Sequence, residues 1–278
     1  RNPAVSKVGL LVERLKNSTS LEEVLESIDQ LTELSSTNPL EVGKGALKVL
    51  LVQLDGIVAE TSGEVAGQII QGILEIINIV CAVSEEVSNG KGIQGELTFS
   101  DMFLKNVDNV SNVLNLLQRK EMWVKLNGIQ LLNTLHKNRT EKLEGNILQC
   151  NAGMMRLMDV LAEDDTHEKV RNDMLLLFDK LTKKNDRIKE FMAFQEGFER
   201  LFQIISREGL KSVVALDCLR VVENILEGSE LTKKLFAQTP CINKLGEICA
   251  PPAEAIQATR ISSTSTFTSE ESVSIKTN

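Results

Sequence analysis

The sequence predicts an all-α fold, on three observations. Apolar residues recur at three- and four-residue intervals along nearly the whole chain, the spacing that places them on one face of a helix. Aromatics make up only 4% of the 278 residues, with one Trp, nine Phe and no Tyr, whereas sandwiches and barrels draw on aromatic and β-branched residues. No Asn-Gly turn stands between alternating strands, because Asn89-Gly90 follows a helical stretch and Asn127-Gly128 lies inside one.

The elements follow in order. Residues 1–40 read as a helical N-terminal cap closing at Pro39. Ala46–Leu54 and Gly67–Val83 form a first, loose helical unit with Gly56 at the break between its parts. Residues 84–100, which include Ser-Glu-Glu-Val-Ser-Asn-Gly-Lys-Gly-Ile-Gln-Gly, read as an insertion. A regular pattern then begins. Asn109-Val110, Gly153-Met154 and Gly197-Phe198 each open a helix pair, 44 residues apart. Val113, Leu157 and Leu201 are equivalent, as are Leu117, Leu161 and Ile205. In the closing helices Leu132, Phe178 and Val222 correspond, with two extra residues absorbed near Asp164-Asp165. Gly209 and Gly228 mark the last breaks. A helical repeat of about 40–47 residues is the armadillo/HEAT signature. No such unit buries its apolar face alone, so units stack into a solenoid. The expectation is a right-handed superhelical solenoid over residues 1–250. Residues 251–278 open with Pro251-Pro252, turn Ser/Thr-rich, and read as a disordered tail or linker.

Composition excludes several functions. A net charge of −8 does not supply the wide basic face that nucleic acid requires. The charge is uneven: residues 1–100 carry −7, while residues 101–185 carry +1. Lys183-Lys184, Arg187 and Lys189 cluster at a repeat turn, too few to argue for phospholipid binding. Cys81, Cys150, Cys218, Cys241 and Cys249 lack paired spacing, so they read as small buried hydrophobes of a reducing cytosol. The triplets at Asn17, Asn109 and Asn138 matter only in a secreted chain. No apolar run approaches the roughly 18 residues a membrane span needs. The chain starts at Arg1 rather than Met, so it reads as a piece of a longer protein.

Chemistry-bearing motifs are sparse. Gly90-Lys91-Gly92-Ile93-Gln94-Gly95 has dinucleotide-loop spelling, but a helix rather than a strand precedes it, and it reads as a loop. His136 and His167 each sit beside charged residues and read as surface side chains. The acid pairs Glu85-Glu86, Asp164-Asp165 and Glu270-Glu271 fall in turns or the tail, where water levels the pKa differences that acid–base catalysis uses. No catalytic, cofactor or metal residues are expected. One polar series remains. Asn78, Asn133, Asp179 and Glu223 share a frame near the ends of successive closing helices, each preceded by an apolar residue (Ile77, Leu132, Phe178, Val222). In an armadillo stack these helices line the concave side, so the series is a candidate ladder for a bound chain. The other reading is each helix's ordinary solvated face.

The stretch Gly153-Met-Met-Arg-Leu-Met-Asp-Val-Leu-Ala162, then Val170-Arg-Asn-Asp-Met-Leu-Leu-Leu177, then Ala193-Phe-Gln-Glu-Gly-Phe-Glu-Arg-Leu-Phe-Gln-Ile-Ile-Ser-Arg-Glu-Gly209 resembles the globular head of the Uso-type general vesicular transport factor family. Leu40-Glu41-Val42-Gly43 and the acidic insertion extend the resemblance toward the N-terminus. It implies an armadillo-like, non-enzymatic head that homodimerises and acts as a docking scaffold in ER-to-Golgi and intra-Golgi traffic. It further implies Rab-type GTPase, SNARE and golgin tethering partners, no cofactor, and cytoplasmic placement, peripheral on Golgi and vesicle membranes through protein partners. A long coiled coil and an acidic tail follow the head in that family, and residues 1–278 hold neither. A generic armadillo adaptor that binds an extended peptide in its groove is the alternative.

Overall fold

Leucine, isoleucine and valine at helical spacing produce helices throughout the computed structural model, which describes residues 3–60, 63–88, 98–163 and 166–250. The Gly90–Gly95 spelling, Asp164-Asp165 and the tail 251–278 lie outside the described residues. Four long helices come first: α1 (Pro3–Asn17), α2 (Leu21–Thr37), α3 (Pro39–Glu60) and α4 (Glu64–Ser88). Shorter helices follow in threes. The first unit is α5 (Phe99–Leu104), α6 (Val107–Leu116) and α7 (Met122–Asn138). The second is α8 (Thr140–Gln149), α9 (Gly153–Ala162) and α10 (Glu168–Leu181). The third is α11 (Asp186–Phe194), α12 (Gly197–Glu208) and α13 (Val213–Leu226), after which α14 (Glu230–Gln238) and α15 (Cys241–Cys249) begin a fourth. No strand occurs among the described residues.

The expected helix pairs are therefore helix triplets. The short α5, α8 and α11 have too few apolar residues to register as periods of their own, so they passed for turns. Gly56 lies inside α3 rather than at a break. The expected insertion is also narrower, because Ser84–Ser88 end α4 and α5 starts at Phe99. Capping explains several boundaries. Asn185, Ser212 and Ser229 accept hydrogen bonds from the backbone N–H of Ile188, Ala215 and Thr232 and so start α11, α13 and α14. Two junctions repeat at the 44-residue period. Ala152 and Glu196 adopt left-handed backbone, at φ 56° and 59°, directly before Gly153 and Gly197. A Cβ at Gly153 would meet the Ile147 carbonyl oxygen at 2.5 Å, and one at Gly197 would meet that of Met192 at 2.6 Å. Glycine there lets α9 and α12 start hard against the preceding short helix.

The helices stack in rows. α2, α4, α7, α10 and α13 each pack on the next, and α1, α3, α6, α9, α12 and α15 form a second row behind them. α5 packs on α8, and α11 on α14. The equivalent residues Val113, Leu157 and Leu201, and Leu132, Phe178 and Val222, are all buried between rows. Among the described residues, hydrogen bonds between units reach only to the neighbour. Among the three-helix units they span 38 residues for Lys125–Glu163 and 45 for Asn224–Asp179. Across the insertion they span 56 for Thr134–Asn78 and 57 for Asn138–Cys81. Such nearest-neighbour connectivity defines a solenoid, and the architecture is an all-α armadillo-like one.

α4 corrects one expectation. Glu64–Ser84 is long and apolar enough to cross a membrane, with mean hydropathy 1.7, although Gln68, Gln71, Glu75 and Asn78 break any continuous apolar run. In the fold 56% of this stretch is buried, packed against α2, α3 and α7. Its apolarity is that of a central helix covered on several sides.

Candidate functional site

The ladder residues occupy one register on the row α4, α7, α10 and α13, and the structure ties three of them to a side chain of the next helix. The Thr134 hydroxyl donates to Asn78 Oδ1 at 2.6 Å. The Lys180 ammonium donates to Asn133 Oδ1 at 2.9 Å. Asn224 Nδ2 donates to Asp179 Oδ1 at 3.0 Å. In each case the donor follows the ladder position on the next helix, so the ladder is a chain of acceptors met by donors one residue out of step. Asn133 Nδ2 also donates to the Asp173 carbonyl at 3.1 Å, and Gln130 to the Asp173 carboxylate at 3.1 Å. Asn78, Asn133 and Asp179 are half-buried, whereas Glu223 is exposed and its side chain makes no hydrogen bond or ion pair among the described residues. The donors Thr134, Lys180 and Asn224 escaped the sequence reading. Their signal was a second polar residue directly after Asn133, Asp179 and Glu223.

Two features break the regularity of this surface. At the level of Gln130, α10 carries Leu176 and α13 carries Arg220. Asp217, the counterpart of Asp173, therefore finds no donor on α10 and pairs with Arg220 on its own helix at 3.2 Å. Leu175, Leu176, Asp179, Asp217 and Arg220 line a shallow notch of ≈ 70 Å³ there. Leu176 is 48% exposed, and Leu216 on α13 is 50% exposed. One turn beyond the ladder, Lys137 on α7 and Lys183 after α10 are equivalent and exposed, with Lys180 between them. Burial holds Lys180 below its ordinary pKa; Asp179 opposes that shift, and Lys137 and Lys183 reinforce it. Lys184 and Arg187 continue the exposed basic surface, but Lys189 is buried, donating to the Glu227 carbonyl at 2.9 Å.

His136 overturns its expected surface position. It is buried, with Nε2 at 2.9 Å from Glu144 Oε1, and both side chains are 8% exposed. Asn185 donates to the other carboxylate oxygen at 2.8 Å, so the pair ties α7 and α8 to the cap of α11. The cause is tertiary: α8 folds back over the end of α7, which local sequence did not reveal. His167 is exposed, and its Nδ1 accepts from the Lys169 N–H at 3.2 Å. Arg139 grips Asp101 with Nε at 2.9 Å and a terminal nitrogen at 2.8 Å. Burial alone would raise the Asp101 carboxyl, but hydrogen bonds from Arg139 and Thr98 bring it below the usual range. Four cysteines are buried and Cys249 is exposed; burial pushes the Cys218 thiol up to about 12, which leaves it protonated and inert. Among the described residues no group of three or more His, Cys, Asp or Glu could hold a metal ion.

No family model matches the chain. Individual relatives do. The chain is 32% identical over 242 residues to the human general vesicular transport factor p115, which covers 84% of this chain and 24% of that protein. It is 27% identical over 218 residues to Golgin candidate 6 of Arabidopsis thaliana and 27% over 161 residues to the intracellular protein transport protein USO1 of Saccharomyces cerevisiae. The chain thus spans about a quarter of the length of the human relative. The crystal structure of Uso1-1 superposes with a TM-score of 0.76 at 21% identity, covering 99% of this chain and 42% of that one. The similarity to the Uso-type head, read above chiefly from segments between Gly153 and Gly209, extends over most of the chain.

Proposed function

We propose that this solenoid is a non-enzymatic docking scaffold, the tether-head portion of a vesicle transport factor acting between the ER and Golgi and within the Golgi. The observation that carries this reading is the 32% identity to p115 across 84% of the chain. On this reading the protein sits peripherally on Golgi and vesicle membranes through protein partners: a Rab-type GTPase together with SNARE and golgin tethering machinery. A second copy of the chain would add avidity. The buried His136–Glu144 pair does not argue for catalysis, because Asn185 already occupies the carboxylate's second oxygen. Pull-down with a Rab-type GTPase locked in each nucleotide state tests the proposal. Preferential capture of the active state is expected, and equal capture or none would reject it.

The adaptor reading, an extended peptide in the groove, finds support in the notch at Leu176 and in the ladder. Asn78, Asn133 and Asp179 already bond neighbouring helices. A partner would meet only their outer edges, and Glu223 is the ladder residue it reaches without breaking an internal bond.

A further inference from the structure

We infer that the surface running from α7 across α10 binds an acidic, extended segment of a protein partner, with an apolar residue of that segment seated in the notch between α10 and α13 beside Leu176. The inference rests on the docking-scaffold reading only in taking this row of helices as a partner surface; it adds the chemistry of what docks there.

The charge pattern is confined to one step of the stack. Lys137 and Lys183 hold equivalent positions on neighbouring units, with Lys180 between them and Lys184 and Arg187 at the rim. The same level carries Ala82 on the unit before and Glu227 on the unit after, so the positive surface ends on both sides. Acidic side chains in the region are largely committed. Asp179 takes Asn224 at 3.0 Å and Lys183 at 3.3 Å, and Asp186 faces Lys189 at 3.5 Å. In a chain of net charge −8, this is a local reversal of sign. Lys180, partly dehydrated and beside two exposed ammonium groups, is stabilised by any carboxylate that arrives among them.

The dimensions favour a chain over a membrane. Neighbouring packed helices lie about 8–10 Å apart, and an extended segment in the polyproline II form advances about 3.1 Å per residue with about three residues per turn. Carboxylates three residues apart along a bound segment therefore match adjacent rungs. Leu176 lies one turn before Lys180 on α10, about 6 Å along the axis, so an apolar residue next to the acidic ones reaches the notch. A planar bilayer cannot follow a recessed surface between stacked helices, whereas an extended segment can.

Fluorescence anisotropy of the full chain with a short labelled Glu-rich peptide containing one central Leu tests the inference. A Lys-rich peptide of the same length and vesicles containing phosphatidylserine serve as comparisons. Binding of the acidic peptide alone, weakening as salt rises, is expected. Lys137→Glu with Lys183→Glu, both at exposed positions, should weaken it by about tenfold or more. Leu176→Asp should weaken it further, and Glu227→Lys, which extends the basic surface by one rung, should tighten it. Unchanged affinity in the charge-reversed variant at unchanged helical content would overturn the inference. So would equal binding of the Lys-rich peptide, or binding to vesicles without binding to the acidic peptide. Capture of an active-state GTPase without acidic-peptide binding sinks this inference and leaves the scaffold reading standing. Peptide binding without GTPase capture does the reverse.

Discussion

The four long N-terminal helices and the three-helix units after them are held by different means. α1–α4 contain 15–25 residues each and join through apolar faces: Ile28, Leu31, Leu50, Leu54, Ile69, Ile70 and Ile73 are buried among them. Polar links there are few; Gln53 donates to the Leu15 carbonyl at 3.1 Å, and Arg14 pairs with Glu26. In the later units, helices of 6–17 residues exchange polar side chains at every step. The reason lies in helix ends. A short helix has nearly as many unpaired terminal carbonyls as hydrogen-bonded ones, and something must satisfy them. Asn146 caps the Leu104 carbonyl at the end of α5, and Asn224 the Asp179 carbonyl near the end of α10. Each comes from an adjacent unit, so the bonds that finish one helix also bind it to the next. Short helices thus convert an end-capping requirement into inter-repeat adhesion.

Three substitutions would break or sharpen that contrast. The largest effect is expected from Ile73→Ala in α4, whose buried side chain has no polar substitute nearby: about 2–5 kcal/mol in chemical denaturation. A loss below about 1 kcal/mol would mean the long-helix block does not depend on apolar packing. Next is Glu144→Ala, which strips both His136 and Asn185 of their acceptor and should cost about 1–3 kcal/mol. Gln53→Ala, removing one partly buried bond from the long-helix block, should cost about 0.5–1.5 kcal/mol. Equal losses from these two would erase the contrast.

The smallest effect is a pH dependence. Arg139 helps hold the Asp101 carboxyl below its ordinary value of 3.8. A carboxyl lowered on folding contributes stability that is present above its unfolded pKa and lost as pH falls through the folded one. Wild type should therefore lose this increment below about pH 4. Arg139→Met should be less stable near pH 7 and show a shallower decline in acid, by thermal unfolding across the pH range. Parallel curves would show that the Arg139–Asp101 pair adds nothing to the adhesion between units.

Much of this was legible in the residues. The 44-residue interval located Gly153 and Gly197, and burial of Leu157, Leu201, Phe178 and Val222 follows from their periodicity. The short helices were hidden because α5, α8 and α11 offer two or three buried apolar positions each, too few to establish a period. The apolar length of α4 was hidden by its interspersed glutamines, and the burial of His136 by its charged sequence neighbours, which point elsewhere once α8 folds back. Of the ladder, the acceptor positions could be read in the sequence, but their donors could not, because each donor lies 45–56 residues away on the next unit.

The sequence by itself determined the helical class and the repeat interval, because local periodicity and glycine placement act within a few residues and survive in any one-dimensional reading. Only the tertiary structure decided which polar side chains are spent inside the stack and which remain for a partner. That choice depends on how far each helix is displaced along its neighbour. The register leaves Asn133 bonded, Glu223 free among the described residues, and the lysines of two units side by side.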